Sequence, residues 1–348
     1  VSSRPTLHEV ASFCGLSFKT VSRVVNGDAN VAPATAERVL QAIAELGYRP
    51  NLVARSLRVG RDNVIGLVVA SIGDPFFADM TTAVEERARD NGFFVIISST
   101  GENSREEETV ISALLARQVA GMILVPTSAD QGYLRAQQSA VPPLVCVDRP
   151  PVGIECDTIL VDNELAAFGA TNWLLSHGHR RIGFVGGPAD KFTIRLRRLG
   201  YERALEQAGI PVDPETIDDS VILPAKVRVV VPRLLSLDRP VTAILTSNAK
   251  ASMGVMGALH LAKRTDVALV GFDDFPAADA LVPPVTVVSQ NAVHIGHVAV
   301  ELLLKRLAGT KEPWKRLVLP TTLIPRGSGE IPPTTPTGAP ERSRSAVL

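Results

Sequence analysis

Short apolar runs, each followed by an amphipathic helical stretch, fill the chain from residue 63 onward, and no other feature restricts the fold as strongly. Val64–Ala70, Phe93–Ser98, Met122–Val125 and Leu144–Val147 are apolar almost throughout. A run of that length without polar alternation suits a strand covered on both faces, as in a parallel sheet. Helical periodicity over Phe77–Asp90 and Arg105–Arg117 supplies the covers. The series then restarts. Ile182–Gly186, Val241–Thr246 and Val267–Phe272 read as strands, with helices over Glu164–Ser176, Arg198–Ala208 and Ser252–Leu261. Alternating strand and helix means an α/β architecture. About 260 residues of it exceed what one hydrophobic core comfortably holds, so two lobes are expected.

The first 47 residues lack this pattern and carry three short helical segments instead. Their charge differs too. The whole chain balances 36 Lys and Arg against 36 Asp and Glu, which excludes a chain-wide basic field. Residues 1–61 nevertheless hold eight basic groups and only four acidic ones. A local positive excess suits a segment that meets a polyanion.

Thr6-Leu7-His8-Glu9 is a capping box that opens a helix with Leu7, Val10, Ala11 and Cys14 along one side. Gly15 allows a tight turn, and Ser17 caps a second helix, Phe18–Asn26. That helix turns Val21, Val24 and Val25 inward and Phe18, Lys19, Ser22 and Arg23 outward. A third helix starts at Pro33, carries Val39, Leu40, Ile43 and Leu46, and ends at Gly47. Two helices joined by a short turn, with cations on the second, suit a DNA-reading helix-turn-helix. On geometry alone, a three-helix satellite of the core remains open.

Three motifs in order decide between them. Thr6-Leu7-x-Glu9-Val10-Ala11, Thr20-Val21-Ser22-Arg23-Val24-Val25-Asn26-Gly27 and Leu46-Gly47-Tyr48-x-Pro50-Asn51-x-x-Ala54-Arg55-Ser56-Leu57 resemble the lactose-repressor (LacI) family of bacterial regulators. The resemblance covers roughly residues 5–327. It implies a helix-turn-helix DNA-binding domain over 1–47, a hinge over 48–62 and a two-lobed effector and dimerisation domain over 63–327. The last is Rossmann-like, of the type I periplasmic-binding-protein kind. Lys19 and Arg23 would donate to guanine O6 and N7, and Phe18 would meet a thymine methyl or the backbone. Thr6, Ser22 and Asn26 would hold phosphates. Ser17, Tyr48 and the hinge residues Asn51, Ala54 and Leu57 complete the implied DNA-contacting set. Leu57, paired with its dimer mate, would wedge a minor-groove base step open.

For the core, the resemblance implies a ligand in the crevice beyond the carboxyl ends of the strands. The matching positions are Asp74, Phe76, Phe77, Asp148, Arg149, Arg197, Asn248, Asp273 and Gln290. Carboxylates accept hydroxyl protons, Arg and Asn donate to sugar oxygens, and an aromatic covers the apolar face of a ring. The set is closest to ribose-type members, so ribose or a ribonucleoside is the expected effector. Each residue could instead be a structural polar group or an interlobe salt bridge. Four departures bear on the effector. These are Asp74 where Asn is common, Ala249 after Asn248, no aromatic lid over 220–227, and a short loop over Lys263–Asp266.

Other function classes find little footing. Gly183-x-x-Gly186-Gly187 lacks dinucleotide spacing, and His177 with His179, or His294 with His297, lacks further metal ligands. No catalytic motif, cofactor or metal is called for. Cys14, Cys146 and Cys156 have no redox or metal spacing and read as reduced buried thiols. No signal-peptide core and no run long enough for a bilayer occur, so a cytoplasmic protein is expected. A transport-type solute-binding protein of the same core fold is the alternative, but the helix-turn-helix speaks against it. The stretch from Glu330 is rich in Pro, Thr, Ser and Gly, giving an expected disordered tail over 328–348. It has no apolar heptad, so a homodimer on a palindromic operator is expected rather than a tetramer.

Overall fold

The computed structural model describes residues 5–25, 30–48, 63–137, 141–220 and 224–334. Asn26, Asn51, Ala54 and Leu57, with the rest of the hinge beyond Tyr48, lie outside the described residues. The chain divides into two compact units, 1–62 and 63–348.

In the first unit, helices α1 (Leu7–Cys14), α2 (Phe18–Val25) and α3 (Pro33–Leu46) close on a small core of Val10, Ala11, Cys14, Val21, Val39 and Ala42. The small side chain of Ala11 sits in that core, where α1, α2 and α3 converge.

The second unit is two α/β lobes, as the alternating pattern predicts. The first lobe is built from β1 (Val64–Val69), α4 (Pro75–Asp90), β2 (Phe94–Ser99), α5 (Ser104–Ala116), β3 (Gly121–Leu124), β4 (Leu144–Val147) and β5 (Asp157–Val161). The second continues with α6 (Asn163–Ser176), β6 (Ile182–Val185), α7 (Phe192–Gln207), β7 (Ile217–Asp218), α8 (Pro224–Leu235), β8 (Ala243–Thr246), α9 (Ala249–Leu261), β9 (Ala268–Phe272) and β10 (Thr286–Ser289). The chain returns to the first lobe through α10 (Ala292–Leu307) and β11 (Arg316–Leu319), then crosses again to β12 (Thr322–Ile324). The sheet orders are β11-β5-β4-β3-β1-β2 and β12-β10-β9-β8-β6-β7. All pairings are parallel except that of β12 with β10. Both orders reverse direction beside the first strand of the lobe, which opens the crevice where ligands of such sheets bind.

Helices cover both faces of each sheet. In the first lobe α4 and α10 share one core with Ile65, Leu67 and Val145, while α5 packs its Ile111 and Leu114 on the other face with Met122 and Leu124. In the second, α8 and α9 lie on one face and α6 and α7 on the other.

The tail expectation needs correcting. Ser328–Glu330 form a turn of 3-10 helix, with Ser328 and Gly329 buried. The Glu330 carboxylate accepts from Trp173 Nε1 (2.8 Å), the Thr286 hydroxyl (2.9 Å) and the Gly327 amide (2.6 Å). His179 is clamped between the Thr242 hydroxyl (2.9 Å) and the Ile331 carbonyl (2.8 Å). Composition misleads here because a single carboxylate with three donors can order a turn that local residue types do not favour.

Helices α6 and α7 meet through Gly200. A Cβ there would lie 2.1 Å from the Glu164 carbonyl and 2.9 Å from the Phe168 amide, both backbone atoms that cannot swing aside. The close approach also seats α7 at the height from which Arg197 reaches Asn163 on α6. Gly200→Ala should therefore lower the unfolding free energy by about 1–3 kcal/mol, read from urea unfolding.

Candidate functional site

In the first unit the capping box forms as the spacing requires. The Glu9 amide donates to Thr6 Oγ1 (3.3 Å), and the Thr6 amide donates to the Glu9 carboxylate (2.5 Å). Gly15 makes the turn at φ 61°, and Ser17 accepts from the Thr20 amide (3.1 Å) to start α2. Lys19, Thr6 and Ser17 are exposed; Phe18, Ser22, Arg23 and Tyr48 are half-buried. Phe18 is not simply outward: its ring stacks on His8 of α1 at 4.5 Å. The Arg23 guanidinium reaches the Asn30 carbonyl (3.5 Å). The exposed side of α2 thus carries an exposed lysine beside an arginine steadied by its own unit.

In the second unit the strand ends bring the predicted residues together. Asp74, just beyond β1, caps α4 by accepting from the Phe76 amide (3.2 Å). Phe76 and Phe77 follow, buried, with their rings edge to face at 5.1 Å. Asp148 and Asp273 stand directly after β4 and β9 at matching places in the two lobes. Both are left-handed, with φ of 67° and 66°. Each amide donates to the adjacent strand, Asp148 to the Ile159 carbonyl (3.0 Å) and Asp273 to the Val288 carbonyl (2.8 Å). Aspartate tolerates this bend better than most side chains do. Asn248 caps α9 through the Ala251 amide (2.9 Å), and Gln290 donates to the Asp273 carboxylate.

Arg197 sits at the centre. Its Nε donates to Asn163 Oδ1 (2.7 Å) and its Nη1 to the Ser247 carbonyl (2.6 Å); Asp273 Oδ2 lies 3.5 Å away. The guanidinium carbon is 3.6 Å from the centroid of the Phe272 ring. Arg197 does not lie on a strand-to-helix connection, as the sequence suggests, but inside α7. That helix starts at Phe192 rather than Arg198, and no side-chain cap marks its start.

Burial sets the charge balance. It pushes the Asp273 carboxyl up to about 6 against the pull of Arg197 and Gln290. It also raises Asp148 against Arg149, and Asp74 against Lys250. Burial lowers the Arg197 guanidinium, opposed by Asp273, Asp148 and Asp74 in that order.

Several polar groups escape a reading of the sequence. Ser247 is fully buried, with a hydroxyl that has no partner among the described residues. Glu102, left-handed at φ 62°, receives both prongs of Arg149 (2.6 and 2.8 Å). Lys191 of the second lobe reaches the same carboxylate at 3.2 Å. Lys250, also of the second lobe, donates to the Ser71 hydroxyl (2.9 Å) and lies 3.9 Å from Asp74. Arg149 is thus committed to Glu102, and two cations bridge the cleft. Burial pushes the Glu102 carboxyl up, but Arg149 and then Lys191 override it and hold it at about 2. Among the described residues no group of three or more His, Cys, Asp and Glu could hold a metal, and no helix is long and apolar enough to cross a membrane.

A helix-turn-helix unit joined to a two-lobed domain with a buried polar cleft defines a DNA-binding transcriptional regulator that answers to a small molecule. Residues 6–51 match the model of bacterial regulatory proteins of the lacI family, and residues 171–329 match a periplasmic binding protein-like domain. The chain is 31% identical over 329 residues to the HTH-type transcriptional repressor CytR of Escherichia coli (strain K12), covering 93% of this chain and 96% of that repressor. It is 32% identical over 328 residues to the ribose operon repressor of Haemophilus influenzae, covering 93% and 98%. Among solved structures it is similar to the lac repressor dimer bound to operator and the anti-inducer ONPF, with 27% identity, 94% and 99% coverage and a TM-score of 0.82. It is also similar to the transcriptional regulator CelR in complex with cellobiose, at 30% identity, 93% and 100% coverage and a TM-score of 0.68. The chain belongs to the LacI family.

Glu102 gives the cleft an acid limit. Its carboxyl is depressed in the folded state, so its contribution is present above the ordinary value of 4.5 and is lost as pH falls toward about 2. Glu102→Gln should remove that contribution. The difference in Tm between the two proteins should be constant above about pH 5.5 and shrink steadily below pH 4.5.

Proposed function

We propose that this regulator is a repressor that binds a palindromic operator as a two-fold homodimer in the cytoplasm and performs no catalysis. Its operator affinity is set by a neutral polyhydroxylated effector held in the cleft, with ribose or a ribonucleoside favoured. The observation that carries this reading is the polar ring between the lobes, with Asp148, Arg197, Asp273 and Gln290 buried and Asp74 and Asn248 half-buried, a set built to exchange hydrogen bonds with hydroxyls. Relatives named for the ribose operon and a relative solved with cellobiose point to the same ligand class. Phe77, which follows Asp74 at the start of α4, is assigned as the apolar wall for a sugar face, and the Ser247 hydroxyl, without a partner among the described residues, adds a further hydrogen-bonding group.

Dimer formation is supported by β2. It is a sheet edge with Phe94 71% and Ile97 37% exposed, and an open apolar edge strand invites pairing. On DNA, Lys19 and Arg23 read base edges from α2, with Phe18 beside them. Thr6, Ser17, Ser22, Asn26 and Tyr48 fix the register. Asn51, Ala54 and Leu57 of the hinge engage the minor groove, where Leu57 is the wedge.

Two measurements test this. In a binding-site selection, Arg23→Ala should relax preference at one base pair per half-site and cost about 1–3 kcal/mol on the best operator. Arg197→Met keeps an apolar stem but removes the guanidinium over Phe272 with its five donors. It should leave operator affinity within about threefold while abolishing the response to whichever pentose, hexose or nucleoside raises the wild-type Tm. A wild-type protein that no such compound stabilises would remove the polyol reading. An Arg197→Met protein with an intact response would place the effector elsewhere.

A further inference from the structure

Cys146 and Cys156 are far from any motif, yet the fold puts their sulfurs 3.4 Å apart. Cys146 lies in β4, held on one side by β3 and on the other by β5, and is completely buried. Cys156 is the residue just before β5, at the end of a loop, and is 8% exposed. It forms part of the wall of a surface hollow of about 790 Å³ that also takes Ile154, Arg306 and Trp314. Both residues are buried, but Cys156 borders that hollow and is the one a small reagent entering from it meets first, with Cys146 behind it. A redox-sensitive cysteine commonly has a resolving partner beside the sulfur that meets the oxidant.

We propose that Cys146 and Cys156 form a reversible intrachain disulfide when the protein meets a hydroperoxide. The Cys156 sulfur attacks the outer peroxide oxygen. The O–O bond breaks, Cys156 becomes a sulfenic acid, and the peroxide leaves as water or an alcohol. Cys146 then attacks the Cys156 sulfur. The S–O bond breaks, the thiol proton leaves with the hydroxide as water, and the S–S bond forms. Two thiols are oxidised by two electrons and one peroxide is reduced. The two sulfurs differ in the direction this needs. The hydrogen-bonded contact between the two sulfurs, working against burial, holds the Cys156 thiol below the ordinary range, while burial pushes Cys146 well above it. The thiolate is the nucleophile, so Cys156 reacts first.

The bond requires the sulfurs to approach from 3.4 Å to about 2.05 Å. Cys146 is fixed inside a sheet, so the movement falls on Cys156 and the loop before it. That loop begins at Arg149, whose guanidinium holds Glu102, and its Val152 amide donates to Gln131 Oε1 (2.8 Å). Cys146 is itself two residues before Asp148. Cys14 provides an internal control: it is buried in the other unit, and its thiol donates to the Val10 carbonyl (2.9 Å).

The test uses the full chain, reduced and freed of reductant, with hydrogen peroxide in slight excess. Ellman titration in denaturant should fall from three thiols to one, with a mass lower by two hydrogens and full reversal by dithiothreitol. Peptide mapping should join residue 146 to residue 156 in one chain. Cys146→Ala should stop at a sulfenic acid that dimedone traps on Cys156, and Cys156→Ser should keep both remaining thiols. Three thiols surviving the treatment would overturn the proposal. So would a disulfide that includes Cys14 or joins two chains, or a Cys156→Ser protein that loses thiols as fast as wild type.

Discussion

The charge on Arg197 is buried, and the cost of taking a guanidinium out of water is several kcal/mol unless carboxylates and hydrogen bonds offset it. Here the offset comes from both lobes. Asp273, Asn163 and the Ser247 carbonyl belong to the second lobe with Arg197 itself, while Asp148 and Asp74 face it from the first. Opening the cleft removes the first-lobe carboxylates and admits water in their place. Arg197 would then keep its second-lobe partners Asp273, Asn163 and the Ser247 carbonyl and exchange the first-lobe carboxylates for water. A ligand that touches it acts on the balance between those states, because only differential interaction can shift a population.

The parts of the fold legible in the sequence are those whose burial is uniform. Val64–Val69 and Leu144–Val147 are covered on both faces, so their apolar runs have no competing explanation. β5 is harder because it opens on Asp157, a buried carboxylate that Arg306 satisfies with two prongs (2.6 and 3.0 Å) from 149 residues away. β7 has only two residues, and α8 begins at Pro224, within the 220–227 stretch noted for its missing aromatic. The start of α7 is hidden for lack of a cap, which is why Arg197 looks like a loop residue.

The same reasoning separates the site residues. Asp74, Asp148, Asn248, Asp273 and Gln290 follow strands, and topology sends the carboxyl ends of the parallel strands to the cleft. Their gathering is therefore implied by order along the chain. Glu102, Lys191 and Lys250 are different. Their partners are 179 residues away in the case of Lys250 and Ser71, and 47 in the case of Arg149 and Glu102. No local pattern encodes such a pair; it exists only once two loops from different elements have been placed. Cys146 and Cys156 show the same limit, since ten residues of separation is no motif and only the strand register brings the sulfurs together.

The cleft also has a sign. The first lobe contributes Asp74, Asp148 and Glu102, and the second contributes Arg197, Lys191 and Lys250, so carboxylates face cations across the opening. Arg149 is the exception on the first lobe, and it is spent on Glu102 and Asp148. Asp273 and Asp274 are the exceptions on the second: Asp273 is held beside Arg197 and accepts from Gln290, and Asp274 is taken up by both prongs of Arg326 (2.6 and 2.7 Å). Such complementarity draws the lobes together before any ligand arrives and weakens as salt screens it. It also restricts what can bind between them. An anionic effector would enter beside three first-lobe carboxylates, and a cationic one beside three second-lobe cations. Either would break a pair and leave a desolvated charge without its partner. A neutral polyol only exchanges hydrogen bonds with groups that keep their ionic partners. The charge pattern of the cleft therefore favours the neutral ligand class independently of any likeness to sugar-responsive relatives.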